Sequence, residues 1–235
     1  MSAERRAELA ANLAEVHARI ATAERLGGRV PGSVRLVVVT KTWPASDVRL
    51  LAGLGVTDVA ENRDQEARPK HEECADLGLR WHFIGQLQRN KARHVVSYAD
   101  VVESVDRPEL ATALDRAAAE LGRRVDVLLQ VDLAEPPQPH RGGAVPADLA
   151  ALAEVVVGRC PALRLAGLMA VAPLEEDPRA AFARLAEAAA AFRREHPGAT
   201  VVSAGMSQDL EEAVESGATH VRVGTAVLGG RPALG

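Results

Sequence analysis

The sequence predicts a parallel (β/α)8 barrel, a TIM barrel of the α/β class, with an extra helix at its amino-terminal end. Three observations predict it. An amphipathic helix, a glycine or proline stop and a short β-rich run recur in that order along the chain. The β-rich runs are largely apolar, as in Val37-Val-Val39, which is how strands buried on both faces of a parallel sheet read. About eight such strands fit into 235 residues, near the roughly 250 of a barrel made from eight strand–helix units. A doubly wound open sheet would give the same local alternation, because local pattern does not register closure.

The first 27 residues carry Leu9, Leu13, Val16 and Ile20 at helical spacing, which predicts a helix with one buried stripe and a packing role. The segment Arg35-Leu-Val-Val-Val-Thr-Lys-Thr-Trp-Pro44 supplies the first strand. A helix over 45–54 leads through Gly55 to a second strand over 58–61, and one over 63–77 leads through Gly78 to a third over 81–84. Val101-Val-Glu-Ser104 is the fourth. A helix over 107–121 stops at Gly122 before a fifth strand over 125–131. Another over 147–159 stops at Pro161 before a sixth over 163–168. Helices over 178–196 and 208–216 precede the last two strands, over 200–203 and 220–223. Glycine suits the residue after a helix because it takes the left-handed conformation without a Cβ clash. The loosest stretch, 134–143, is expected to be a mobile loop inside one domain that spans residues 1–235.

Composition removes several classes of function. A net charge of −4 gives no electrostatic case for nucleic acid or an anionic membrane, and 3% aromatic residues leave few platforms for stacking bases. Cys74 and Cys160 are too few for a disulfide framework and read as buried inert thiols in a reducing compartment. No signal-peptide stretch or apolar run of about 18 residues is seen, so the expectation is a soluble, cytoplasmic protein, monomeric by default.

Candidate chemistry is sought in the loops that follow the strands, where barrels place their sites. Lys41 ends the first strand; desolvation there would free its amine for covalent chemistry with an aldehyde, although a lysine at a strand end also simply snorkels to solvent. Asn62 follows the second strand and reads equally as a ligand contact or a helix cap. After the third strand, Gln88, Asn90 and Lys91 read as caps of the next helix, and His82 as a hydrogen-bonded core histidine. His71-Glu-Glu-Cys74 lacks the second histidine of a zinc-protease pattern. Ser203-Ala-Gly205-Met206-Ser207-Gln-Asp209 and Val221-Arg222-Val-Gly224-Thr225 are small-residue turns after the seventh and eighth strands. Those loops are the usual phosphate site of barrels, and glycines, hydroxyls and helix-start N–H groups suit an anion. Arg222 is the odd residue in an apolar strand, fit for a buried ion pair or a ligand contact. In a closed barrel the eighth strand adjoins the first. Amine, phosphate clamp and arginine would then converge on a phosphorylated aldehyde held as a Schiff base, and pyridoxal 5'-phosphate is the obvious candidate.

These segments resemble the pyridoxal-phosphate homeostasis protein family, single-domain barrels similar to the amino-terminal domain of alanine racemase. The resemblance is carried by Val39-Thr-Lys-Thr-Trp-Pro44, Glu61-Asn-Arg63 with Gln65-Glu66, Trp81-His-Phe-Ile-Gly85 and Gln88-Arg-Asn-Lys91. It continues in Gly167-Leu-Met-Ala170, Ser203-Ala-Gly-Met-Ser207 with Asp209-Leu-Glu211, and Val221-Arg-Val-Gly-Thr-Ala226. It implies that Lys41 is the covalent attachment point and that Ser203, Gly205, Met206, Ser207, Gly224 and Thr225 form the phosphate loops. It also implies Arg222 near the pyridine nitrogen and Asn62 in the pocket. Ala60, Gln86 and His140-Arg141 depart from the family's usual glycine, histidine and lysine. The last departure gives no reason to expect a second cofactor site.

The function so implied is cofactor handling: binding pyridoxal phosphate, buffering it and passing it to apo-enzymes, without turnover. A racemase-like enzyme is the alternative. It needs a second acid/base, a tyrosine from a separate β-domain in the alanine racemase pattern, and Tyr98 is the only tyrosine here. A cofactor-free barrel enzyme acting on phosphorylated sugars would also want Lys41 and the phosphate loops.

Overall fold

Residues 3–136 and 142–230 are described by the structure, a computed structural model. The valine run forms β1 (Arg35–Val39), all but its first residue buried. Seven further strands follow, β2 (Asp58–Glu61), β3 (Arg80–Phe83), β4 (Val101–Val105), β5 (Val125–Val131), β6 (Leu163–Ala170), β7 (Val201–Ser203) and β8 (His220–Val223). All pair in parallel and in chain order, and β8 closes on β1 through Val37 opposite Arg222 and Val38 opposite Val223. The sheet is therefore a closed barrel, not the open alternative.

The helices between strands are α2 (Ala45–Ala52), α3 (Asp64–Glu73), α4 (Ala92–Val96), α5 (Pro108–Glu120), α6 (Leu149–Arg159), α7 (Pro178–Glu195) and α8 (Leu210–Glu215). A four-residue helix, α9 (Thr225–Leu228), follows β8 where the sequence predicts only a turn. It is one turn long, too short to leave a periodic apolar signal. Most outward-facing strand residues and the helices over them form a core that includes Val59, Trp81, Phe83, Val102, Leu129, Leu168 and Val202, while Leu36, Val38, Val221 and Val223 of β1 and β8 form a second one with the first helix.

The barrel interior is smaller and partly polar. Val37, Val39 and Ala60 fill one side and Val101, Leu128, Ala166 and Met169 the other. His82, Glu103, Ser203 and Arg222 are buried polar residues of β3, β4, β7 and β8.

The first helix, α1 (Ala3–Leu26), buries Leu9, Leu13, Val16 and Ile20, as its spacing predicts. It also does more than pack. Asn12 Nδ2 donates to the Val227 carbonyl at 2.9 Å, and Arg19 donates to the Ser207 carbonyl at 3.0 Å and pairs with Glu211 at 2.6 Å. The helix thus braces both loops that follow β7 and β8. Among the described residues, no helix is long and apolar enough to cross a membrane.

Candidate functional site

A cavity of about 900 Å³ opens where the strands end. Seven of the nine predicted site residues line it: Lys41, Asn62, Met206, Ser207, Arg222, Gly224 and Thr225. Ser203 and Gly205 do not. The sequence missed Met169, Gln208 and the β6–α7 loop residues Pro173 and Leu174, which also border it. Met169 and Gln208 lie within stretches the sequence singles out, but nothing in the local pattern marks Pro173 or Leu174.

Lys41 lies two residues past β1, half-buried, in a tight turn in which the Trp43 N–H bonds the Thr40 carbonyl at 3.1 Å. The turn is fixed from outside. Lys70 of α3 donates to the Thr40 carbonyl at 2.8 Å and pairs with Glu61 at 2.5 Å, while the Thr40 hydroxyl donates to the same carboxylate at 2.6 Å. Thr42 has φ 71°, and its N–H is taken by Glu66 at 3.1 Å. A β-branched residue in the left-handed region costs on the order of 1–3 kcal/mol, and such strain persists where surrounding contacts over-determine it. Asn62 is not the cap of α3, since Arg63 holds that position. Asn62 instead borders the cavity.

The two predicted anion loops are adjacent. The Ser207 hydroxyl accepts the Ala226 N–H at 3.2 Å, so the turn after β7 is tied to the start of α9. Asp209 accepts the Met206 N–H at 2.6 Å and closes that turn on itself. Gly224 packs closely on β1, where a Cβ would sit 3.2 Å from the Val39 carbonyl oxygen. The remaining hydroxyl proton of Ser207, the Thr225 hydroxyl and the backbone of both loops suit a phosphate monoester.

The two residues outside the cavity wall have structural partners. Gly205 accepts the backbone N–H of Arg222 at 2.9 Å and lies against Ala213 of α8, joining β7 to β8. Ser203 is fully buried; its hydroxyl donates to Glu103 at 2.6 Å and accepts from Arg222 at 2.7 Å. The expectation of a phosphate contact is thus corrected for the Ser203 hydroxyl, because its one proton is already committed. Arg222 is buried and ion-paired, and it also reaches the cavity. It is anchored by Ser203, by the Ala170 carbonyl at 2.8 Å and by Glu103 at 3.7 Å.

His82 is a hydrogen-bonded core histidine, as expected, with Glu103 at 2.7 Å on Nδ1 and Asp58 at 3.1 Å on Nε2. Burial alone would raise both carboxyl pKa values, but hydrogen bonding and charge from His82 outweigh it and hold Asp58 and Glu103 at about 2 each. Burial likewise opposes the His82 charge, and its two carboxylates reverse that and raise its pKa. Stability from the carboxylates is therefore complete above their ordinary values, roughly pH 4, and is lost as pH falls toward 2. The histidine contribution is complete below about pH 6.5 and declines as pH rises through its raised folded value. Melting temperature should accordingly be highest between about pH 5 and 6.5. Glu103→Gln should flatten the acid limb of that profile; an unchanged acid limb would mean that other carboxylates set it.

Tyr98 is buried away from the cavity, near Asp64 and Glu61, and burial drives its pKa up. Cys74 and Cys160 are buried free thiols. Gln88 stands at the start of a short 3-10 turn (Arg89–Lys91) without a side-chain cap. Of the departures, Ala60 lies in the barrel interior and Gln86 lines the cavity, while His140 and Arg141 fall outside the described residues.

The model of the alanine racemase N-terminal domain family matches residues 9–232. The pyridoxal phosphate homeostasis protein of Pseudomonas aeruginosa is 43% identical over 95% of this chain and 96% of its own length. That of Escherichia coli K12 is 37% identical over 95% and 97%. The solved structure of PipY from Synechococcus elongatus, with PLP bound, superimposes with a TM-score of 0.79 at 38% identity, covering 94% of this chain and 99% of that one. An alanine racemase from Clostridium difficile shares the fold at TM-score 0.73 and 15% identity, with 58% of that chain covered.

Proposed function

This chain belongs to the pyridoxal phosphate homeostasis protein family, within the broader family of the alanine racemase N-terminal domain, and from that premise we propose that it binds pyridoxal 5'-phosphate on Lys41 and stores or delivers it without turning over a substrate. The single observation that carries this reading is the convergence of Lys41, the Ser207 and Gly224–Thr225 loops and Arg222 on one cavity. Bound pyridoxal phosphate supplies an aldehyde that condenses with an amine and a phosphate that takes several hydrogen bonds. The turn around Thr42 fixes where the Lys41 amine emerges, α1 braces the anion loops from behind, and Arg222 offers the ring a cation with no acceptor.

Two features support storage over catalysis. A guanidinium beside a pyridine nitrogen disfavours its protonation, which weakens the ring as an electron sink. Racemisation also needs a proton carrier facing Lys41. Among the described residues lining the cavity, the other titratable groups are Glu176, Asp209 and Arg222. Glu176 is paired with Arg184 at 2.6 Å and Asp209 is committed to the Met206 N–H. Delivery needs neither feature: a competing amine that displaces Lys41 carries the cofactor away with no proton removed from carbon. The proposed working form is one cytoplasmic domain, a monomer, with apo-enzymes as recipients.

The test incubates the loaded protein with L- or D-alanine in deuterated water. Deuterium incorporation at Cα no faster than with free pyridoxal phosphate is the expected outcome. Rapid incorporation that disappears in Lys41→Ala would make the lysine a catalytic base and the protein an enzyme.

A further inference from the structure

Buried polar side chains cross the barrel from the cavity wall toward its opposite end, and their hydrogen-bond directions follow from Arg222 and two ionised carboxylates. Arg222 can only donate. The Ser203 hydroxyl that accepts from it at 2.7 Å must therefore give its own proton to Glu103 Oε2, 2.6 Å away. Glu103, ionised with its pKa held at about 2, accepts at both oxygens and takes its second hydrogen bond from His82 Nδ1 at 2.7 Å. His82 meets Asp58, likewise ionised with its pKa held at about 2, at its other nitrogen 3.1 Å away; with an acceptor-only carboxylate on each side both ring nitrogens donate and the ring is an imidazolium. Asp58 is completed by the Thr57 hydroxyl at 2.6 Å and by Arg35 at 3.5 Å. His220, the neighbouring histidine on β8, has its pKa lowered to about 4 chiefly by burial, so it adds no charge at neutral pH. Charge alternates along the chain: Asp58 negative, His82 positive, Glu103 negative, Arg222 positive.

The arrangement keeps two strong partners apart. Glu103 Oε2 lies only 3.7 Å from Arg222 Nη1, and a carboxylate and a guanidinium in a dry interior would close into a direct, two-bond pair if nothing restrained the acid. His82 restrains it from the far side, and Ser203 stands between. Arg222 is then anchored through Ser203 and the Ala170 carbonyl while it borders the cavity.

We propose that His82 is a positioning residue for the ring end of the cofactor site: by holding Glu103 back from Arg222, it fixes the direction in which the guanidinium meets the heterocycle. The inference rests on pyridoxal phosphate being the ligand. It makes a core histidine on β3 part of a site whose wall it does not form.

The test separates ring from phosphate with two probes that cannot react with Lys41. One is 4'-deoxypyridoxine 5'-phosphate, which has ring and phosphate but no aldehyde; the other is inorganic phosphate. In the full chain, His82→Gln should weaken the deoxypyridoxine phosphate complex roughly tenfold or more, the equivalent of one charge-assisted hydrogen bond, while leaving inorganic phosphate within about twofold. Ser203→Ala, which keeps His82, Glu103 and Asp58 and removes only the joint to Arg222, should give the same selective loss, and it decides the matter if His82→Gln does not fold. Both variants should also shift the absorption maximum of bound pyridoxal phosphate. Unchanged affinity for the ring probe in the folded variants, or equal loss for both probes, would refute the role of His82. Failure of the wild type to bind pyridoxal phosphate would refute the functional reading itself.

Discussion

Lys41→Ala should eliminate covalent capture of pyridoxal phosphate. The chain has 28 basic side chains, yet only Lys41, Lys70 and Lys91 are lysines, so amine chemistry has few places to go. Lys70 is close to the site in space, but its ammonium is buried between the Thr40 carbonyl and Glu61 and does not line the cavity. Freeing that amine would leave the Glu61 carboxylate buried and unpaired, at a cost on the order of 3–5 kcal/mol. Lys91 belongs to the short turn after β3 and is likewise absent from the cavity wall. The variant should keep its fold, because the side chain of Lys41 is half-exposed and the turn is held by its neighbours. It should lose the visible absorbance of the loaded protein and retain only weak, reversible binding through the phosphate loops. A folded Lys41→Ala protein that still captures one equivalent of cofactor after borohydride reduction would show that another amine serves the site.

Gly167→Ala should be the most destabilising single-methyl change in the barrel. Gly167 has φ 155°, and a Cβ built on it would stand 1.9 Å from the Val201 carbonyl oxygen and 2.8 Å from the Val201 nitrogen. The obstruction is the backbone of β7, which no rotamer change can relieve. The same residue marks a bulge, where the register of β6 against β5 slips between Leu165 and Gly167. The bulge lets β6 continue to Met169 and Ala170, the first lining the cavity and the second accepting from Arg222. A methyl group here should therefore cost roughly 3 kcal/mol or more and lower the melting temperature by about 6–12 °C. It should also weaken cofactor binding beyond what stability explains, because the Arg222 anchor moves with β6. A variant within about 2 °C of the wild type would mean that β6 and β7 separate at little cost.

Much of this was legible in the residues themselves. Each predicted strand lies within about three residues of the observed one, because Val37-Val-Val39 or Val125-Asp-Val-Leu-Leu-Gln-Val131 suits burial on both faces and is bounded by helix stops. Lys41, Ser207, Gly224 and Thr225 were legible as a group because the fold rule sends strand ends to one face. What the sequence could not carry was direction. Ser203 and Ser207 share a turn and a chemistry, yet one hydroxyl points into the barrel and the other borders the cavity. That difference follows from the pleat of β7, which ends at Ser203. The residues that hold the turn around Lys41 were also hidden. Lys70 and Glu66 look like a solvated helix face, and only the packing of α3 beside β1 turns them inward to the Thr40–Thr42 turn. Glu103 did carry a signal, as an acid in Val101-Val-Glu-Ser-Val105, the counterpart of Arg222 in its own apolar strand. Two opposite charges, each alone in a buried strand, are a reason to look for their meeting in the barrel.

One lysine, at the end of the first strand, is proposed to hold the cofactor. Reduction of the loaded wild-type protein with borohydride, followed by proteolysis and mass spectrometry of the peptides, tests it most directly. The expected result is a single pyridoxyl-phosphate adduct, near one per chain, on the peptide that contains Lys41. An adduct on Lys70, on Lys91 or on the amino terminus in place of Lys41, or none at all from a protein that binds the cofactor tightly, would contradict it.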